Sequence, residues 1–169
     1  MDYQFAVENI KKNYTMTGVE MAGFAAKLSD FDWKIFEIIV ANGISEEKIA
    51  KEVCIRELIR MNEPCVCENT VWRSIKFLVN LNLFDVEKIV TGYRSFNILE
   101  LSTFGSTMYV NAFQKKPAVQ AHKRIKAEHA NVHHGYMVMD TADILRSKFD
   151  YVKVTTGREE NTINFRDGL

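Results

Sequence analysis

The sequence predicts an α+β protein that is mainly helical: a core of three helices joined to a β-hairpin, followed by C-terminal helices and a small terminal β-hairpin. Three observations carry this. Between Ser29 and Phe84 apolar residues recur at helical spacing, in three segments punctuated by Gly43 and Pro64. The next two runs, "LFDVEKIV" and "RSFNILEL", switch to β-branched and aromatic residues around "TGY". From "STFGSTMYVNAFQKK" the spacing is helical again until the tail, where "YVKVTT" and "TINF" flank the turn "GREEN".

The elements follow in order. Residues 1–28 read as an N-terminal helical extension, with "TMTGVEMAGFAAKL" a short helix weakened by Gly18 and Gly23. In "SDFDWKIFEIIVANG", Ser29 or Asp30 is the N-cap, Phe31, Ile35, Ile38 and Ile39 form an apolar stripe, and Gly43 is the stop. "SEEKIAKEVCI" opens a second helix capped by Ser45, with Ile49, Ala50, Val53 and Cys54 inward. That pattern extends through Leu58 and Met61 to Pro64. The third helix lies in "CENTVWRSIKFLVNLNLF". At about 100° per residue, Val71, Ile75, Leu78 and Asn82 point one way, and Asn69, Arg73, Lys76 and Asn80 the other. Trp72 and Phe77 flank the polar stripe, and Asn82 suits the left-handed residue that closes a helix. Gly92 serves the hairpin turn, Ser102 or Thr103 caps the next helix, and Pro117 starts "PAVQAHKRIKAEH". "HHGYMVMDTADILRSKF" is helical from Gly135 or earlier.

Composition sets limits. The chain has 169 residues, 47% hydrophobic and 26% charged, which is a folded protein and not a disordered tail. Its apolar runs fall short of the ~18–20 residues a membrane span needs. "MDYQFAVENIKKNY" has no apolar signal region. Three cysteines with seven methionines fit a reducing compartment, so a cytoplasmic location is expected. Net charge is zero, so nucleic-acid binding can rest only on local clusters. One such cluster runs from Leu101 to Ala127, which holds Lys115, Lys116, Lys123, Arg124 and Lys126 and no acid.

Three helices and a hairpin, with the third helix next to the hairpin, is the element order of a winged helix-turn-helix, and the residues resemble that family. "SEEKIAKEVCI" looks like its second helix, and "CVCENTVWRSIKFLVNLNLF" like its recognition helix and first wing strand. "NILELSTFGSTMY" is similar to the exit to the next helix in MarR-like members. The resemblance covers residues 29–109. It departs at Asn82, where the family usually has Gly, and in the long run from Arg56 to Val66. It implies sequence-specific binding of double-stranded DNA, as a transcriptional regulator or a mobile-element accessory protein. The residues expected on DNA are Asn69, Thr70, Arg73, Lys76, Phe77 and Asn80 of the recognition helix, and Lys88, Thr91, Tyr93, Arg94 and Ser95 of the wing. Arg73 suits guanine, Asn69 adenine and Lys76 a phosphate. Trp72 and Phe77 either touch thymine methyls or sugar edges, or are covered by protein. Residues 110–169 form an appendage, for homodimerisation or as the opening of a truncated C-terminal domain.

Other chemistry is weighed against plain structure. His129 and His133 have metal-pair spacing if their helix is continuous, but "HANVH" lacks the Glu of a zinc protease. Cys65 and Cys67 lack two further local ligands for zinc. No nucleophile elbow or P-loop occurs, and no cofactor, metal or catalytic residue is expected. Two alternatives remain. One is a winged helix that binds protein. The other follows from the tail: "EHANVHHGYMVMDTADILRSKFDYVKV" to "NFRDGL" faintly resembles the opening of a restriction-endonuclease-like nuclease, in which Asp167 would be the first metal-binding acid.

Overall fold

The computed structural model of the chain describes residues 3–12, 16–149, 152–154 and 163–165. Among them lie eight helices: α1 (Gln4–Lys11), α2 (Met16–Ala25), α3 (Asp30–Ala41), α4 (Glu47–Arg60), α5 (Glu68–Asn80), α6 (Thr103–Phe113), α7 (Ala121–Glu128) and α8 (Val132–Lys148). The strands are β1 (Phe84–Val90), β2 (Ser95–Leu101), β3 (Val152–Val154) and β4 (Ile163–Phe165). β1 pairs with β2 and β3 with β4, the latter antiparallel with Lys153 opposite Asn164. The protein is thus α+β and mainly helical, a helical core plus a hairpin. None of the helices is long and apolar enough to cross a membrane. Two compact units emerge: residues 1–87 with 97–120, and residues 88–96 with 121–169.

In the first unit the core helices close by one device. Gly43, Asn62 and Asn82 have φ of 61°, 54° and 58°. Each is followed by an amide that reaches back to the last turn: Ile44 to the Ile39 carbonyl (3.1 Å), Glu63 to Leu58 (3.0 Å) and Leu83 to Leu78 (3.1 Å). This is the left-handed C-terminal motif, which Gly and Asn tolerate at small steric cost. Gly43 is further constrained, because a Cβ there would sit 2.7 Å from the Val119 carbonyl oxygen. Asn62, two residues before Pro64, therefore ends α4.

Ser29 caps α3 in a reciprocal box. Its hydroxyl accepts the Asp32 amide, and Asp32 accepts the Ser29 amide at 3.0 Å. α3 is buried nearly all round, and its expected stripe widens to include Trp33, Phe36 and Val40. Trp33, Phe36, Phe84, Tyr109 and Phe113 meet edge to face or tilted, with centroids 4.9–6.1 Å apart. α1 belongs to this core: Tyr3, Ala6 and Ile10 are buried, and Asn9 donates to the Ala112 carbonyl of α6 at 2.9 Å.

Four local expectations are corrected. Ser45 does not cap α4. It is buried one residue before the cap position, Glu46, and its carbonyl accepts the Leu99 amide at 2.6 Å. Beside it Glu46 and Ile98 form an antiparallel bridge, so this linker lies along β2. Ile49, expected inward, is 46% exposed, because Ala50, Cys54 and Leu58 set the buried face; Met61 falls past the helix end and is 50% exposed. Pro117 does not start α7, which begins at Ala121. Gln120 instead spends its buried amide on backbone, accepting from the Leu101 amide (2.7 Å) and donating to the carbonyls of Ile44 (2.9 Å) and Leu99 (2.8 Å). Those bonds satisfy groups that burial would otherwise leave unpaired.

The second unit holds the hairpin tip, α7, α8 and the β3–β4 pair. Asn131 caps α8 by accepting the amides of His133 and His134. α7 and α8 approach closely at Gly135, where a Cβ would lie 2.7 Å from Ile125. His122 is buried and shares a hydrogen bond with the Tyr136 hydroxyl at 3.1 Å.

Candidate nucleic-acid interface

α5 buries Val71, Ser74, Ile75 and Leu78, the positions that recur every three or four residues. Its opposite side is open: Asn69, Thr70, Arg73, Lys76 and Asn80 are all exposed. The helix is anchored by apolar packing and by one buried polar tie. The Ser74 hydroxyl donates to Asp32 of α3 at 2.6 Å, so the carboxylate that caps α3 also holds α5.

The two flanking aromatics part company. Phe77 is partly buried and packs against the apolar core. Trp72 is 40% exposed, and the Lys76 ammonium lies 3.6 Å from its ring centroid. This cation–π contact holds the lysine over the indole.

At the helix start, Lys51 pairs with Glu68 and lowers its pKa through the hydrogen bond and the opposite charge. Cys67, at the cap position, has its sulfur 2.7 Å from the Thr70 hydroxyl. That hydrogen bond, then the Thr70 amide and the Arg73 charge, hold the thiol below its ordinary range. Lys51 and the Cys67–Thr70 contact escape sequence reasoning. Lys51 lies a whole loop away from its partner, and the thiol contact depends on how the chain enters the helix.

The expected wing residues lie in the second unit. Lys88 and Ser95 are exposed. The other three are tied to α8. Asp140 accepts from the Thr91 hydroxyl at 2.8 Å and from the Arg94 guanidinium at 3.0 Å, and the Thr141 hydroxyl donates to Tyr93 at 3.3 Å. Arg94 also lies 4.0 Å over the Phe96 ring. Gly92 has no left-handed φ. The turn is closed by the Thr91 amide, which donates to the Arg94 carbonyl at 2.9 Å, and by the Thr91 hydroxyl, which accepts the amides of Tyr93 (3.3 Å) and Arg94 (3.1 Å).

The remaining candidates separate. His129 follows α7 and His133 is on α8, where its Nδ1 faces the Val90 backbone, so one continuous helix does not carry both. Cys54 is buried, and Cys65 and Cys67 are exposed. Asp167 lies outside the described residues. Comparison of the chain with protein-family models, with curated proteins and with solved structures finds no match.

Proposed function

We propose that residues 29–101 form a winged helix-turn-helix and that the chain binds double-stranded DNA, as a transcriptional regulator or mobile-element accessory protein, through α5. One observation carries this. α5 buries Val71, Ile75 and Leu78 while Asn69, Thr70, Arg73, Lys76 and Asn80 face outward. The major groove, about 12 Å wide, admits one helix held in this way. In it Arg73 pairs with a guanine edge, Asn69 with adenine, and Lys76 with a phosphate. The antiparallel bridge from Glu46, in the linker between α3 and α4, to Ile98 of the hairpin adds support. Thr91 and Arg94 would have to leave Asp140 before touching a phosphate, so the main contribution is assigned to α5.

The test is fluorescence anisotropy on labelled duplexes at two salt concentrations. Affinity should fall steeply from about 50 to 200 mM salt, because each neutralised phosphate releases counterions. Arg73→Ala should cost about 1–3 kcal/mol at one base position, and Lys76→Ala should weaken every sequence alike. Salt-independent binding, or two variants that bind as the parent does, would sink the proposal.

A second reading has its own observation. Trp72, 40% exposed on the outer side of α5 in a chain of zero net charge, suits a protein-binding winged helix. Under it, random duplex is not retained even at low salt.

A further inference from the structure

Two of the three cysteines stand at the entry to α5, with one residue between them. Cys65 lies in the turn after α4, and Cys67 holds the cap position of α5 with extended backbone, φ −137° and ψ 160°. Val66 packs against the apolar core, while Cys65 and Cys67 are both exposed. Residues two apart on an extended chain share a face, so with Val66 turned inward both thiols lie on the solvent side. Covalent geometry keeps their Cα atoms within about 7 Å, close to the span of a disulfide. Cys65 has a φ of 58°, in the left-handed region. The core helix stops of that kind use Gly43, Asn62 and Asn82, the residue types that tolerate it best. A cysteine held there is a strained residue beside a reactive one. The Cys67 sulfur lies 2.7 Å from the Thr70 hydroxyl, and that hydroxyl, the Thr70 amide and Arg73 favour its thiolate. Cys54, by contrast, is fully buried.

We propose that Cys65 and Cys67 are a peroxide-reactive dithiol: a hydroperoxide oxidises Cys67, and Cys65 resolves the product into a reversible Cys65–Cys67 disulfide. In the first step the Cys67 thiolate attacks one oxygen of the hydroperoxide. An S–O bond forms, the O–O bond breaks, and the other oxygen leaves as an alcohol or water after taking a proton. Cys67 is then a sulfenic acid. The Thr70 hydroxyl, beside the sulfur, is placed to hydrogen-bond the departing oxygen. In the second step the Cys65 sulfur attacks the Cys67 sulfur. The S–S bond forms, the S–O bond breaks, and hydroxide leaves as water with the Cys65 proton. Two electrons pass in all from the two thiols to the hydroperoxide. An accessible thiolate with a resolving cysteine next to it is the arrangement this chemistry needs. Cys54 is too deeply covered to resolve Cys67 in its place. Exchange with a small dithiol reverses the bond.

The experiment takes the full chain, reduced and then freed of reductant, and adds a small excess of hydrogen peroxide or cumene hydroperoxide. Remaining thiols are blocked with iodoacetamide under denaturing conditions and read by mass spectrometry. Trypsin releases both cysteines in one peptide, from Met61 to Arg73. In the treated parent that peptide should be unalkylated and lighter by two hydrogens, Cys54 should still be alkylated, and dithiothreitol should restore both thiols. In Cys65→Ser the reaction should stop at a sulfenic acid on Cys67, which dimedone captures. In Cys67→Ser, Cys65 should remain a thiol over the same period. Both positions are exposed, and circular dichroism checks that each variant folds. A parent peptide that keeps both thiols overturns the proposal. So does a disulfide to Cys54 or between two chains, and so does a Cys67→Ser variant whose Cys65 oxidises as fast as the parent pair. Duplex binding is absent from the assay, so its outcome is separate from the fate of the DNA proposal.

Discussion

At the scale of single residues, the same side-chain type takes opposite chemistry from its surroundings. Burial pushes the Cys54 thiol up to about 12, while the Thr70 hydroxyl holds Cys67 low. Since the thiolate is the nucleophile, Cys67 should alkylate readily near neutral pH and Cys54 only after unfolding. Thr70→Val should slow modification of Cys67 several-fold, read by mass spectrometry of iodoacetamide-treated protein; an unchanged rate would refute the hydrogen bond as the cause. The part played by Thr70 is not legible in the sequence, because the contact depends on how the chain enters α5. The sequence does place Asn82 in the left-handed position it occupies. Gly92 sits in the hairpin turn as expected, but the turn uses no left-handed φ there.

At the scale of elements, helices were legible where periodicity and caps agree. α3 and α6 begin where Ser29 and Ser102 accept the amides of Asp32 and Gly105. α5 was legible through its apolar period. The tie between α3 and α5 was not, because Asp32 and Ser74 are far apart in sequence and either could have faced water. That tie makes a graded prediction. Ser29→Ala should cost about 1 kcal/mol, the usual worth of an N-cap. Asp32→Ala should cost about 2–4 kcal/mol, because it removes the reciprocal cap and strips the buried Ser74 hydroxyl of an acceptor. Urea denaturation measures both, and equal losses would contradict the double role.

At the scale of the molecule, the aromatic core and its buried acids set the response to pH. Burial, and then Glu37, raise the phenols of Tyr3 and Tyr109, and burial raises Cys54. All three groups keep their protons in the folded chain at pH values where the unfolded chain has begun to lose them. These three groups bind more protons in the folded state, so their contribution to stability falls as pH rises, while Cys67, held low, acts in the opposite sense. The loss should begin near the unfolded thiol value and reach about 1–2 kcal/mol at pH 10 relative to pH 7. Urea midpoints that hold steady or climb over that span would show that these groups are not buried as described.

Local order was decided by the sequence itself: the helical periods, the hairpin, the left-handed stops and the mixed composition of a folded chain. Those signals act over three or four residues, within reach of a single turn. Tertiary structure alone decided that the N-terminal helices join the core, that Phe77 is partly covered while Trp72 is more exposed, and that Asp140 holds the hairpin tip. Each of these joins residues far apart along the chain. Which distant partner a side chain meets depends on how all the apolar faces are buried at once, and no local pattern encodes that.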